Sequence, residues 1–143
     1  MPRSEQLLAR AHYPVTVSPD EWANEILYLD QLLVEGFETT WLRKTAIELG
    51  TNPPANYQSL KLIEECLMAI GFEEAHARNI TVPMHQLHFL RSKLKGHAQG
   101  DDASAIRKEA IAQHGSYGKH FRVLCSECDE RIRTIAEQFE GMK

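Results

Sequence analysis

The chain has 143 residues, of which 43% are hydrophobic and 25% charged, a size and balance that fit one globular domain with a buried core. No apolar run approaches the ~18 residues of a membrane span, and no signal-peptide core follows the N-terminus, so a cytoplasmic location without membrane contact is expected. The net charge of −4 excludes a uniformly basic nucleic-acid binder.

The charge is unevenly spread. From His88 to Arg122, seven Lys/Arg stand against three acids, leaving nine against seventeen elsewhere. A basic segment on an acidic protein can attract a polyanion. The three cysteines, Cys66, Cys125 and Cys128, are expected to be reduced thiols, being odd in number in a chain that needs no disulfide framework.

Residues 1–17 read as a leader or the remnant of a linker, in which Tyr13-Pro14-Val15 has extended character. Residues 18–143 read as a single helical domain. Ser18-Pro19-Asp20-Glu21 starts the first helix: a capping hydroxyl, a proline at the first helical position, and two acids at the positive end. Trp22, Ile26, Leu29, Leu33 and Phe37 follow at helical spacing, then the stripe shifts after Gly36 to Trp41/Leu42, Thr45/Ala46 and Leu49, which predicts a bend. Gly50 and Pro53-Pro54 end this helix.

Ser59 opens a second helix with Leu60, Ile63, Leu67 and Ile70 on one face, closed by Gly71. Phe72 to Arg78 reads as a short helical turn. Thr81-Val82-Pro83 then predicts a fresh start, with Thr81 as cap and Pro83 in the first turn. Met84, Leu87, Leu90 and Leu94 carry the third main helix to Gly96. Asp101 or Asp102 can cap a short helix over Ala103–Ala112, and residues 114–118 form a break in which His114 and Tyr117, with His120 just beyond, are expected at the surface. The last helix, about Lys119 to Glu140, carries Phe121, Leu124, Cys125, Cys128, Ile132, Ile135 and Phe139. No segment alternates with period two. The fold class is all-α, an up-and-down bundle of four main helices plus one or two short ones.

Chemically capable side chains concentrate between Leu90 and Gly100. His88, Arg91 and Lys95 fall at three- and four-residue spacing along one helical stripe. His97 stands between Gly96 and Gly100, which permit sharp turns. An imidazole that takes a proton and a guanidinium that grips a phosphate suffice, in principle, to cleave RNA without a metal. The same residues also fit a plainer role, cations favouring a helix C-terminus beside an ordinary loop histidine.

Other patterns weigh less. Cys125-x-x-Cys128 lies on an apolar stripe and lacks a second pair, so buried thiols are expected and no metal site. His85-x-x-His88 has no acid nearby in sequence, although His88 can assist Arg91. Gly115 to Lys119 lacks the spacing and the preceding strand of a phosphate loop. Glu35, Glu38, Glu64 and Glu65 do not form the paired Glu-x-x-His pattern of a metal bundle, and Glu73-x-x-His76 stands alone, so solvated faces are expected.

Arg91-Ser92-Lys93-Leu94-Lys95-Gly96-His97 resembles the R-x(4–6)-H motif of HEPN domains, the higher eukaryotic and prokaryotic nucleotide-binding family. The setting is similar to its abortive-infection branch across roughly residues 20–140: residues 32–37 on the first helix, 59–64 on the second, and Leu87 to Ser92 leading into Gly96-His97-Ala98-Gln99-Gly100. That resemblance implies a metal-independent endoribonuclease of phage defence or a toxin–antitoxin system, needing no cofactor. Arg91 and His97 would be catalytic, and Ser92, His88, Lys93 and Lys95 would bind or orient the phosphate. The product would be a 2′,3′-cyclic phosphate. The implied partners are RNA, a second copy of the chain in a homodimer, and an antitoxin or an N-terminal partner domain. Ser92 departs from the Asn, Asp or His often found after the motif arginine, and no tyrosine closely follows His97. The alternative is a non-catalytic module of the same fold that dimerises or binds nucleic acid or an effector domain.

Overall fold

The computed structural model describes residues 18–94 and 101–141. Among these the chain is all-helical, with six helices: α1 Pro19–Leu33, α2 Thr39–Glu48, α3 Ser59–Ala69, α4 Glu74–Leu94, α5 Asp101–His114 and α6 Tyr117–Glu140. The expected leader, residues 1–17, lies outside the described residues. No helix among them is long and apolar enough to cross a membrane.

Local signals set most of the ends. Ser18 Oγ accepts from the Glu21 amide and starts α1, with Pro19, Asp20 and Glu21 in its first turn. Ser116 Oγ accepts from the Lys119 amide, so α6 begins at Tyr117 rather than at Lys119. Gly71, at φ +115°, makes the turn that joins α3 to α4.

Two expectations of helix extent need correction. The bend predicted near Gly36 is a full break, which divides the first long helix into α1 and α2. A Cβ on Gly36 would stand 2.5 Å from the Leu32 carbonyl oxygen, so only glycine allows the chain to turn this closely. Gly36→Ala is therefore expected to destabilise the fold by roughly 1–3 kcal/mol, the range for forced overpacking, with the denaturant midpoint as the measure.

The fresh start predicted at Thr81 is absent. α4 runs unbroken through Pro83, and Thr81 sits inside it with its hydroxyl donating to Glu64 and to the Arg78 carbonyl. A proline inside a helix costs about 3 kcal/mol. Burial of Ile80, Met84 and Leu87 on the same helix, at ~1.5–3 kcal/mol for each side chain, outweighs it.

α4 is the axis of the bundle and packs against α1, α3, α5 and α6. The core around it holds Trp22, Ile26, Leu42, Leu62, Ile63, Leu67, Met84, Leu87 and Phe121, all 2% exposed or less. Trp41 and Ile70, expected on apolar stripes, are exposed, and Trp41 instead meets Phe139 at 5.6 Å between rings.

The connection between α2 and α3 is tied down by Arg43. Its guanidinium donates to the carbonyls of Pro53, Pro54, Ala55 and Tyr57. Ser59 Oγ then donates to the Val34 carbonyl, which fixes the start of α3 against the end of α1. These ties hold the start of α3 against α2 and the end of α1.

Candidate active site

The site is organised by two buried acids, neither of them among the site residues expected from the sequence. Asp30 on α1 has no exposed surface. Its carboxylate lies 3.1 Å from His88 Nδ1 and 3.8 Å from Arg91 Nε, so one acid gathers two residues of α4 that are three apart. The Arg91 guanidinium also reaches the exposed Glu35, with Nη2 3.2 Å from Oε1. The 3.8 Å approach is an ion pair and too long for a hydrogen bond; Arg91 Nε is buried without a hydrogen-bond partner. Burial pushes the Asp30 carboxyl above its ordinary range, and the nearby charge of Glu35 adds to this; His88 and Arg91 pull it back only in part.

Glu64 on α3 repeats the pattern one turn earlier along α4. Its Oε2 accepts from Thr81 Oγ1 at 2.9 Å and lies 2.8 Å from His85 Nε2. Lys61 and Arg78 stand near its other oxygen, at 3.8 and 3.9 Å. Burial raises its pKa, but the bonds from His85 and Thr81 and the charge of Lys61 prevail, and the group is held below the usual carboxylate range. The expectation that Glu64 belongs to a solvated face is thereby corrected: it is 3% exposed. The apolar face of α3 buries it, and its partners on α4 make that burial tolerable.

The sequence-derived site residues separate into groups. His88 and Arg91 are brought together on Asp30. Ser92 uses its hydroxyl on the His88 carbonyl of its own helix, at 3.0 Å. Lys93 lies over the Phe89 ring, 5.8 Å from its centre. Lys95 and His97 lie outside the described residues, and the separation of Arg91 and His97 is not defined.

His114, Tyr117 and His120 were expected at the surface, and the fold places them differently. The Tyr117 ring stacks on Trp22 at 4.8 Å, and Trp22 Nε1 donates to His120 Nδ1 at 3.2 Å. The His114 ring meets His120 edge-on at 5.1 Å. The buried indole N–H needs an acceptor, and His120 supplies it as a neutral ring. Burial, with the charge of His114 second, lowers the His120 pKa to about 4. The unfolded chain, with an ordinary value near 6.5, binds that proton more readily. Folding stability is therefore expected to fall as pH drops from about 6.5 towards 4, and to fall less in His120→Gln, which keeps an acceptor. Urea unfolding of both chains across this range measures the difference.

Among the described residues no group of three or more His, Cys, Asp or Glu is placed to hold a metal. The three cysteines are free. Burial, helped by Glu65, pushes Cys66 up to about 11, and burial with nearby Glu25 or Glu127 pushes Cys125 and Cys128 up to about 12. Cys66 and Cys128 are buried, whereas Cys125, also expected to be buried, is half-buried at the edge of the core.

Comparison with protein-family profiles, curated proteins and solved structures finds no match for this chain.

Proposed function

We propose that this chain is a metal-independent endoribonuclease of HEPN type, acting in phage defence or as the toxin of a toxin–antitoxin pair. The observation that carries the reading is the grip of buried Asp30 on both His88 and Arg91, which stand about one turn apart on α4, shortly before His97 in the sequence. A guanidinium fixed by carboxylates is pre-oriented, so little of its freedom remains to be lost when a phosphate arrives. Support also comes from the all-helical bundle and from the spacing of Arg91 and His97.

In this mechanism Arg91 holds the scissile phosphate and balances its developing charge. His97, as a neutral imidazole, takes the proton of the 2′-hydroxyl. The 2′-oxygen bonds to phosphorus while the bond to the 5′-oxygen breaks, and the departing oxygen receives a proton. The products are a 2′,3′-cyclic phosphate and a 5′-hydroxyl. A homodimer would bring two such motifs to one cleft.

One observation favours a second reading, a non-catalytic module of the same bundle that dimerises or binds nucleic acid or an effector. The charge of Arg91 is already answered by Glu35 and Asp30. The two readings separate in one experiment: structured and unstructured RNAs incubated with the protein in EDTA, beside Arg91→Ala and His97→Ala. Cleavage lost in both variants supports the ribonuclease. Cleavage that neither substitution alters removes the catalytic assignment, and intact RNA throughout favours the module.

A further inference from the structure

A groove of about 550 Å³ opens between the end of α1 and the start of α3, with α4 as its floor. Glu35, Phe37, Gln58, Lys61, His85 and His88 line it. The two imidazoles stand three residues apart on α4, which makes them neighbours on one helix face. Each is tied to a different buried acid, His85 through Nε2 to Glu64 and His88 through Nδ1 to Asp30. Both side chains are nevertheless close to half exposed, 43% and 47%.

This geometry sets the chemistry of each ring. An ionised carboxylate only accepts, so the nitrogen bonded to it carries the proton. The bare lone pair is then on Nδ1 of His85 and on Nε2 of His88, so the two rings hold opposite tautomers. Burying two acids is costly, and here both acids orient rings that remain open to a common groove. When either bare nitrogen takes up a proton, it becomes a donor.

We propose that this groove is a nucleotide-phosphate subsite in which Lys61, His85 and His88 bind the phosphate, with the half-buried Phe37 ring and the Gln58 amide flanking the nucleoside. The choice of a nucleotide rests on the ribonuclease reading. The groove adjoins Arg91 through Asp30, the acid that His88 and Arg91 share. A strand whose scissile phosphate lay on Arg91 would thus offer its neighbouring phosphate to the two histidines.

The charges facing the two rings balance. Asp30 and Glu35 approach from α1 and the turn after it, and Glu64 and Lys61 from α3. Arg78 and Arg91 approach from α4 itself. Each proton taken up by an imidazole therefore adds one uncompensated positive charge. Phosphate binding and proton uptake by either ring favour each other.

The test titrates uridine 3′-monophosphate, a short oligouridylate and inorganic phosphate into the full chain. The histidine ring signals are followed by NMR at a single pH, with RNA cleavage measured on the same preparations. Saturable shifts of the His85 and His88 rings are expected. Lys61→Ala should weaken binding about tenfold, the loss of one charge-assisted contact. The Lys61 side chain is itself 40% exposed and stands 3.8 Å from Glu64, which keeps its bonds from Thr81 and His85, so this variant keeps the fold even if His85→Asn with His88→Asn does not. Tighter binding of the oligonucleotide assigns the subsite to an RNA strand, and equal binding assigns it to free nucleotide. Nucleotide binding without cleavage upholds the subsite and removes the ribonuclease reading. Cleavage with both rings unmoved by either nucleotide overturns the subsite and leaves that reading standing. Inorganic phosphate binding as tightly as the nucleotides, or Lys61→Ala binding as tightly as the natural chain, overturns the nucleotide assignment.

Discussion

Arg91→Ala is expected to slow RNA cleavage by ~10²–10³-fold, the cost of removing one preorganised group that stabilises transition-state charge. His97→Ala is expected to cost ~10²–10⁴-fold, as for a proton-transfer residue. Arg91→Lys should fall nearly as far as the alanine variant. A single ammonium cannot face Asp30 with one nitrogen and Glu35 with another, as the guanidinium does. Glu35→Gln should move the other way. Glu35 is exposed, and its ion pair with Arg91 is worth only about 0–1 kcal/mol, yet an incoming phosphate must displace it. Its removal is expected to lower KM by up to about fivefold, with kcat unchanged, because the competitor acts on binding. Initial rates on a labelled RNA separate the two effects. Equal rates for Arg91→Ala and the natural chain would sink the phosphate-gripping role.

Asp30→Ala is expected to destabilise the bundle by about 2–4 kcal/mol, measured as a lower denaturant midpoint with unchanged slope. Two losses combine. His88 Nδ1 and the buried Arg91 Nε lose the acid that answers them, and a small void opens where the fully buried Asp30 side chain stood. Because both partners also reach water, the cost stays below that of a fully enclosed pair. Asp30→Asn should cost less, since burial already disfavours the charge and an amide oxygen can still accept from His88. If both variants melted with the natural chain, Asp30 would not hold the cluster.

How much of this was legible in the sequence depends on where the controlling interactions lie. The caps at Ser18 and the apolar stripes of α1, α3 and α6 are local, and three- and four-residue spacing finds them. Pro83 misled because its local penalty is overridden by the burial of Ile80, Met84 and Leu87, which no short window contains. Tyr117 and His120 were read as surface because their partner, Trp22, is nearly a hundred positions away. The two acids do leave a trace in the sequence. Asp30 follows Trp22 and Ile26 at four-residue steps, and Glu64 follows Leu60 in the same way, so each is an acid on a face otherwise apolar. Such an acid needs a partner on a facing helix, and His85, His88 and Arg91 are those partners. The relation of Arg91 to His97 stays at the level of sequence, since His97 lies outside the described residues.

The three thiols give the molecule an internal clock. With burial holding all three far above neutral pH, an alkylating reagent finds almost no thiolate while the helices stay packed. Cys66 lies on α3, and Cys125 and Cys128 lie on α6, either side of the helix that carries the site. Cys66 Sγ donates to the Leu42 carbonyl, so its labelling times the parting of α3 from α2, while labelling on α6 reports the loosening of that helix.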